Sequence, residues 1–209
     1  MKQIDKEQIE EFWKWFAGVS GALMAGIEKG AFMALLDDRL RELHPALRWE
    51  ITPGLMTARQ FTISPNMDRE LRNIAQQIIS SAPVLAHWEF YAARMPKEWN
   101  YKLQIENPGT HPLELDASDW IFVLLSDRDD KYQVLLNGSN LPRLAETQRR
   151  QAAADILCNV AGEEVIMDTV NDFELVYDLP PFVARRAQSI LSLRLAFTKL
   201  QRHKTEQVR

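Results

Sequence analysis

Cysteine is almost missing from this 209-residue chain: Cys158 stands alone, so no internal disulfide can form and a reducing compartment is the expectation. Histidine is scarce as well. His44, His87, His111 and His203 are widely spaced, and neither H-E-x-x-H nor C-x-x-C occurs. Zinc sites show close ligand pairs, so no metal site is expected. No G-x-S-x-G elbow marks a nucleophile, and the 8 glycines form neither a Walker loop nor a G-x-G-x-x-G run. The acidic turn of Asp127, Asp129 and Asp130 lacks the glycine and the final carboxylate of a calcium loop. No cofactor is therefore expected. Long apolar runs are also missing, since residues 18–36 are interrupted and 120–125 are too few to cross a bilayer. The opening MKQIDKEQIEEFWKWF carries acidic groups throughout and has no apolar signal region, and KTEQVR carries no lipidation pattern. The expectation is a soluble, cytoplasmic protein with no membrane partner.

What is present is ordinary globular material: 46% hydrophobic and 26% charged residues, enough to bury a core without staples. The net charge of −4 and pI near 5.6 would repel nucleic acid, which is not expected as a partner. The charge is uneven. Residues 182–209 hold Arg185, Arg186, Arg194, Lys199, Arg202, Lys204 and Arg209 against Glu206, a net +6 that leaves −10 on the rest.

Asp5 and Gln8 read as a capping box, followed by Ile9, Phe12, Trp13 and Phe16 at helical spacing. Gly18, Gly21, Gly26 and Gly30 weaken that helix, a second stripe runs from Phe32 to Leu43, and His44-Pro45 ends it. Residues 5–44 thus predict one kinked helix or two. The period then becomes two. Leu47, Trp49 and Ile51, the Pro53-Gly54 turn, then Phe61 and Ile63 spell a hairpin. A helix with the stripe Leu71, Ile74, Ala75, Ile78 follows, then a strand with Trp88, Phe90 and Ala92 on one face and His87, Glu89 and Tyr91 on the other. A strand at Tyr101, Leu103 and Ile105 stops at Asn107-Pro108-Gly109, and Leu113 and Leu115 add a short one. The run 120–125, the turn 126–131 and Tyr132, Val134 and Leu136 form a second hairpin, broken at Gly138-Ser139-Asn140. A helix from Pro142 to Val160 is supported by Glu146 and Arg150 and ended by Gly162. A strand at Phe173, Leu175 and Tyr177 and a final helix opened by Pro180-Pro181 complete the chain.

Residues 47–92 and 120–177 therefore both spell β-β-α-β. The predicted fold is α+β: a mostly antiparallel sheet of about seven strands from two ββαβ-like halves, with N-terminal and C-terminal helices packed on it. The expected organisation is a helical segment 1–44, an α+β core 45–181 and a basic C-terminal helix 182–209, all in one compact domain.

The segments FWKWF (12–16), LHPALRWEITPG (43–54), FTISPNMDREL (61–71) and WEFYAARMPKEW (88–99) together resemble a set of uncharacterised bacterial proteins. In that set a Trp-Glu-Phe strand precedes an Arg-x-Pro bend. The resemblance spans most of residues 8–177. It implies a bacterial α+β protein, some of whose like are immunity or accessory factors, and it assigns no catalytic residue.

Paired carboxylates are the one constellation that suggests catalysis. Glu50 and Glu89, with His87 and Tyr91, fall on polar strand faces, where a raised pKa would permit general acid–base work. Cross-strand polar pairing explains the same residues without chemistry. Arg94, just past the strand, is a candidate carboxylate ligand or a cap of the bend. Trp13, Trp49, Trp88 and Trp120 sit at inward positions, whereas Trp15 and Trp99 fall off the stripes and are candidate interface anchors. Arg185, Arg186 and Arg194 are candidates for docking an acidic partner. With no cofactor motif and a polarised charge, the expected function is a non-enzymatic protein-interaction or accessory (immunity-like) module. The alternative is a small-molecule-binding protein or enzyme using Glu50, His87, Glu89 and Tyr91. The partner expected is another protein, and an exposed apolar face on residues 18–36 would add a homodimer.

Overall fold

A computed structural model describes residues 4–25, 29–105, 111–127, 131–138, 141, 142 and 144–207, the side chains at 29 and 202–207 excepted. Gly26, the Asn107-Pro108-Gly109 stop, the turn residues Asp129 and Asp130, and Ser139-Asn140 lie outside the described residues. The fold is α+β, and among the described residues the strands form three sheets of three, two and four strands. The single sheet of about seven strands expected from the sequence is not formed. The chain divides into two compact units, Met1–Arg94 and Met95–Arg209.

In the first unit, Asp5 caps helix α1 (Lys6–Ala25), its Oδ1 accepting from the Glu7 N–H at 3.1 Å. Ile9, Phe12, Trp13 and Phe16 form its buried stripe. The helix continues through Gly18 and Gly21, where an added Cβ would meet nothing within 4 Å. The packed stripe outweighs the roughly 1 kcal/mol that each glycine costs. Helix α2 (Lys29–Leu43) buries Leu36, Leu40 and Leu43 and closes with the His44 N–H on the Leu40 carbonyl at 3.0 Å, just before Pro45.

Strands β1 (Arg48–Thr52) and β2 (Arg59–Ser64) pair antiparallel, with Trp49 opposite Ile63 and Ile51 opposite Phe61. Helix α3 (Arg72–Ser80) then crosses over, and β3 (Trp88–Tyr91) returns parallel to β2, with Phe90 opposite Phe61. Parallel neighbours need such a crossover, which a two-residue turn cannot supply. One sheet face meets the α1 stripe in an aromatic cluster. Phe16 stacks on Phe61 with centroids 4.9 Å apart, Trp13 meets Phe90 edge-on at 4.9 Å, and Phe16 meets Trp88 edge-on at 5.1 Å. The buried Trp13 indole N–H donates to the Ile78 carbonyl at 2.8 Å, which ties α1 to α3.

In the second unit, β4 (Lys102–Ile105) and β5 (Leu113–Asp116) pair with each other and, among the described residues, with no other strand. The approach to β4 breaks the strand: Pro96 has no N–H, and Tyr101 takes a φ of 61°. The larger sheet repeats the first unit's connectivity. Strands β6 (Ile121–Ser126) and β7 (Tyr132–Asn137) form an antiparallel hairpin, and β8 (Val170–Val176) returns parallel to β7. The crossover is two helices, α4 (Glu146–Ala161) and α5 (Glu163–Thr169), divided at Gly162 by its φ of 85°. Helix α5 was not expected; residues before Phe173 carried no strong pattern.

The predicted C-terminal helix 182–209 is also interrupted. A single turn, α6 (Pro181–Ala184), gives way to strand β9 (Gln188–Ser189), a 3₁₀ turn at Ile190–Ser192, and α7 (Leu193–Gln207). The cause is the open edge of β6. It pairs with β9, and the Trp120 carbonyl accepts the Ile190 N–H at 2.9 Å. These tertiary bonds take backbone groups that a continuous helix would have used itself.

Gly138 at the end of β7 lies against the buried Trp120 indole: a Cβ there would stand 2.4 Å from Nε1 and 2.7 Å from Cδ1. Gly138→Ala is expected to lower stability by about 2 kcal/mol in a urea melt. An unchanged midpoint would show that the indole has room to move.

Candidate functional site

The register of the first sheet sets two polar rows on the face opposite the aromatic cluster. One runs Glu50, Thr62, Tyr91 and the other Thr52, Gln60, Glu89, from β1 through β2 to β3. Glu50 and Glu89 thus share a face but stand in different rows, on strands that are not neighbours. Strand β2 stands between theirs, and two strand spacings amount to about 10 Å.

The Glu89 carboxylate is instead occupied by the loop joining β1 to β2. Its Oε1 accepts from the N–H groups of Met56, at 2.6 Å, and Thr57, and its Oε2 accepts from Leu55 N–H at 3.3 Å and the Tyr91 hydroxyl at 2.7 Å. Three consecutive amides converging on one carboxylate form an anion nest whose anion is part of the chain. The Thr57 hydroxyl donates to the Arg59 carbonyl at 3.0 Å, which closes the loop's far side. Gly54 makes the approach feasible, since a Cβ there would lie 2.5 Å from the Thr57 carbonyl oxygen and 2.8 Å from Glu89 Oε1.

The hydrogen bond from Tyr91, helped by those from Met56 and Thr57 and opposed by partial burial, lowers Glu89 from 4.5 to about 2. The same bond, with burial and the nearby negative charge, raises Tyr91 to about 12. A carboxylate that releases its proton near pH 2 and a phenol that keeps its own to pH 12 are not set for proton transfer near neutrality. The pair holds a loop.

The other sequence candidates separate. His87 is exposed, precedes β3 with a φ of 71°, and contributes its carbonyl to the Arg59 N–H at 3.0 Å. Arg94 is half-buried at the end of the first unit. Trp15 is half-buried against the core, its ring 6.0 Å from Phe12 and 6.0 Å from the Arg39 guanidinium. Trp99 lies with its ring tilted against Tyr101 at 4.9 Å and is half-buried. Arg194 is a clamp inside the second unit. It donates from Nε to the Val160 carbonyl at 3.1 Å and from Nη2 to the Lys97 carbonyl, and it pairs with Glu98. Arg186 donates to the Leu124 carbonyl at 3.3 Å, while Arg185 is exposed.

A cleft of about 240 Å³ lies beside α4 and β8, lined by Glu146, Arg149, Arg150, Asp172, Phe173 and Glu174. Its charges already face one another, with Arg149 3.6 Å from Glu174 and Arg150 3.7 Å from Asp172. Cys158 is buried in α4. Among the described residues no group of three or more His, Cys, Asp or Glu side chains could hold a metal ion, and no helix is long and apolar enough to cross a membrane.

The loop itself was the feature that sequence reasoning missed. Pro53-Gly54 announced a turn, but nothing local connects it to Glu89, 35 residues on from Gly54. What the loop presents is apolar: Leu55 is 64% and Met56 90% exposed, on a backbone fixed by Glu89. Because β2 and β3 are parallel, the exposed Val84, in the segment leading to β3, belongs to the same end of the sheet. No family model, curated protein or solved structure matches the chain. The Trp-Glu-Phe segment has a physical account: Trp88 and Phe90 enter the aromatic cluster, and Glu89, between them, faces the loop.

Two expectations follow from these contacts. A depressed carboxylate stabilises its contacts above its unfolded pKa and loses them as pH falls through its folded one. The amides of residues 55–57, corrected for intrinsic exchange, are therefore expected to stay protected above about pH 4.5 and to open progressively toward about pH 2, with Glu89→Gln removing that pH dependence. Protection that is insensitive to pH in the native protein would separate Glu89 from the loop. For the arginines, Arg194→Ala is expected to cost about 2 kcal/mol in a denaturant melt and Arg185→Ala within about 0.5 kcal/mol of nothing. Equal losses would show that Arg194 is not a clamp.

Proposed function

We propose that the protein is a non-enzymatic interaction module whose contact is the Leu55–Met56 tip. The observation that carries this reading is an exposed apolar pair on a loop whose three successive amides are fastened to one buttressed carboxylate. Fixing a loop before it meets a partner lowers the entropic cost of binding, and a rigid apolar knob is the form in which a few residues dominate an interface. The −10 carried by residues 1–181 favours a basic partner, with complementary charge raising the on-rate. An accessory or immunity-like factor is the specific form of this reading, and the single, buried thiol suits a reducing, cytoplasmic setting. An enzyme working through Glu50, His87, Glu89 and Tyr91 would need a Glu89 free to take a proton, and that carboxylate already accepts four hydrogen bonds.

The test is a photo-crosslinking amino acid at Met56, with the same group at the exposed Glu42 of α2 as control. A single adduct at Met56, absent at Glu42 and lost when Leu55→Ser is added, is the expected result. No adduct, or one indifferent to Leu55, would overturn the reading.

A further inference from the structure

We propose that the segment from Phe182 to Lys199 is a docking face for an anionic lipid surface. It stands on a part of the chain distinct from the Leu55–Met56 tip. Phe182 is 76%, Leu191 59% and Leu195 57% exposed. Each is a large apolar side chain, and all three fall within 14 residues, of which Gln188 and Ser189 pair with the edge of β6.

The segment is held in place. Arg186 bonds the Leu124 carbonyl, β9 pairs with Ile121 and Phe122, and Ile190 N–H reaches the Trp120 carbonyl. Ile190, Leu193 and Phe197 are buried, so the helical stretch that follows is fixed in its rotation by its inner face. Its outer face is then set. Leu191, Leu195 and Lys199 succeed one another four residues apart, on a single row.

Two cations flank the apolar side chains. Arg185 and Lys199 are both exposed, and neither has an ion-pair partner among the described residues. This contrasts with Arg149, Arg150 and Arg194 of the same unit, each set against a carboxylate. Unpaired cations beside exposed leucines are the two ingredients of interfacial attachment: carbon enters the acyl boundary while long basic side chains reach back to the head groups. A plane suits this face, since Leu191, Leu195 and Lys199 follow one another on a single exposed helical row. The charge division of the whole sequence acts in the same sense, because an anionic surface attracts residues 182–209, at +6, and repels the remainder, at −10. Attachment would be peripheral, as no described helix is long and apolar enough to cross a membrane.

The experiment is co-sedimentation of the full chain with vesicles of phosphatidylcholine alone and with about 30% phosphatidylglycerol, at low and moderate salt. Binding to the anionic vesicles at least about tenfold tighter than to the neutral ones, and weakened by salt, is expected. Arg185→Gln and Lys199→Gln should each weaken it about fivefold, and the double change Leu191→Ser, Leu195→Ser at least tenfold. These positions are exposed, so thermal melts of the variants should match the native one. Absence of binding, equal binding to both vesicles, or variants that bind like the native chain would each overturn the proposal. Retention on immobilised polyglutamate without vesicle binding would overturn it in favour of an acidic protein partner.

Discussion

One carboxylate organises the loop end of the first sheet. Glu89 takes three successive amide protons from the β1–β2 loop and a fourth hydrogen bond from Tyr91. Every feature nearby is adjusted to that arrangement. Gly54 has no side chain because a Cβ would occupy the space of the carboxylate and of the Thr57 carbonyl. The parallel pairing of β3 with β2 brings Glu89 level with Gln60, close enough for the loop to fold back on it. The alternation of β3 requires that Trp88 and Phe90 point the other way, into the aromatic cluster with Phe16, Phe61 and Trp13. The four residues of β3 thus serve two ends: two rings secure the strand to helix α1, and the acid between them secures the loop. An anion so well solvated by the chain stays ionised at neutral pH.

The same economy of connection appears twice. Each unit builds a hairpin, sends the chain through helix, and returns it parallel on the hairpin's second strand. The units differ in what they do with the sheet edge. In the second, β9 and Arg186 cover part of the β6 edge, and the bonds they make interrupt what would otherwise be a longer basic helix. An edge strand with free backbone groups is a liability, and a short strap that satisfies two or three of them is a common remedy. The consequence is that Phe182, Leu191 and Leu195 are held outward on a fixed support.

Charged residues that look alike in sequence therefore have different tasks. Arg194 satisfies the last turn of α4, through the Val160 carbonyl, and the Lys97–Glu98 backbone and side chain. Arg149 and Arg150 fasten α4 to β8, each with its guanidinium also over an aromatic ring, that of Tyr177 and that of Phe173. Arg185, one residue before Arg186, is left exposed. No local pattern separates these cases, because each is decided by what the tertiary fold brings within about 3–4 Å of the guanidinium.

The sequence by itself determined the periodic parts. The α1 stripe, Phe61 and Ile63 of β2, Ile74 and Ile78 of α3 and Val134 and Leu136 of β7 are all buried as their spacing marks them, and Trp49 and Ile51 pack partly buried against the same core as the first unit's stripe, since a period of 3.6 or 2 turns one set of residues to one face. The two β-β-α-β runs were legible on the same ground. Only the tertiary structure decided how strands were shared among sheets, that β3 and β8 return parallel, that the basic tail breaks to pair with β6, and that Glu89 holds a loop rather than facing Glu50. Those outcomes rest on backbone hydrogen bonds and close contacts between residues tens of positions apart. Such bonds carry no periodic signature, because a backbone N–H or carbonyl is the same group at every residue, and its partner is chosen by the path of the whole chain.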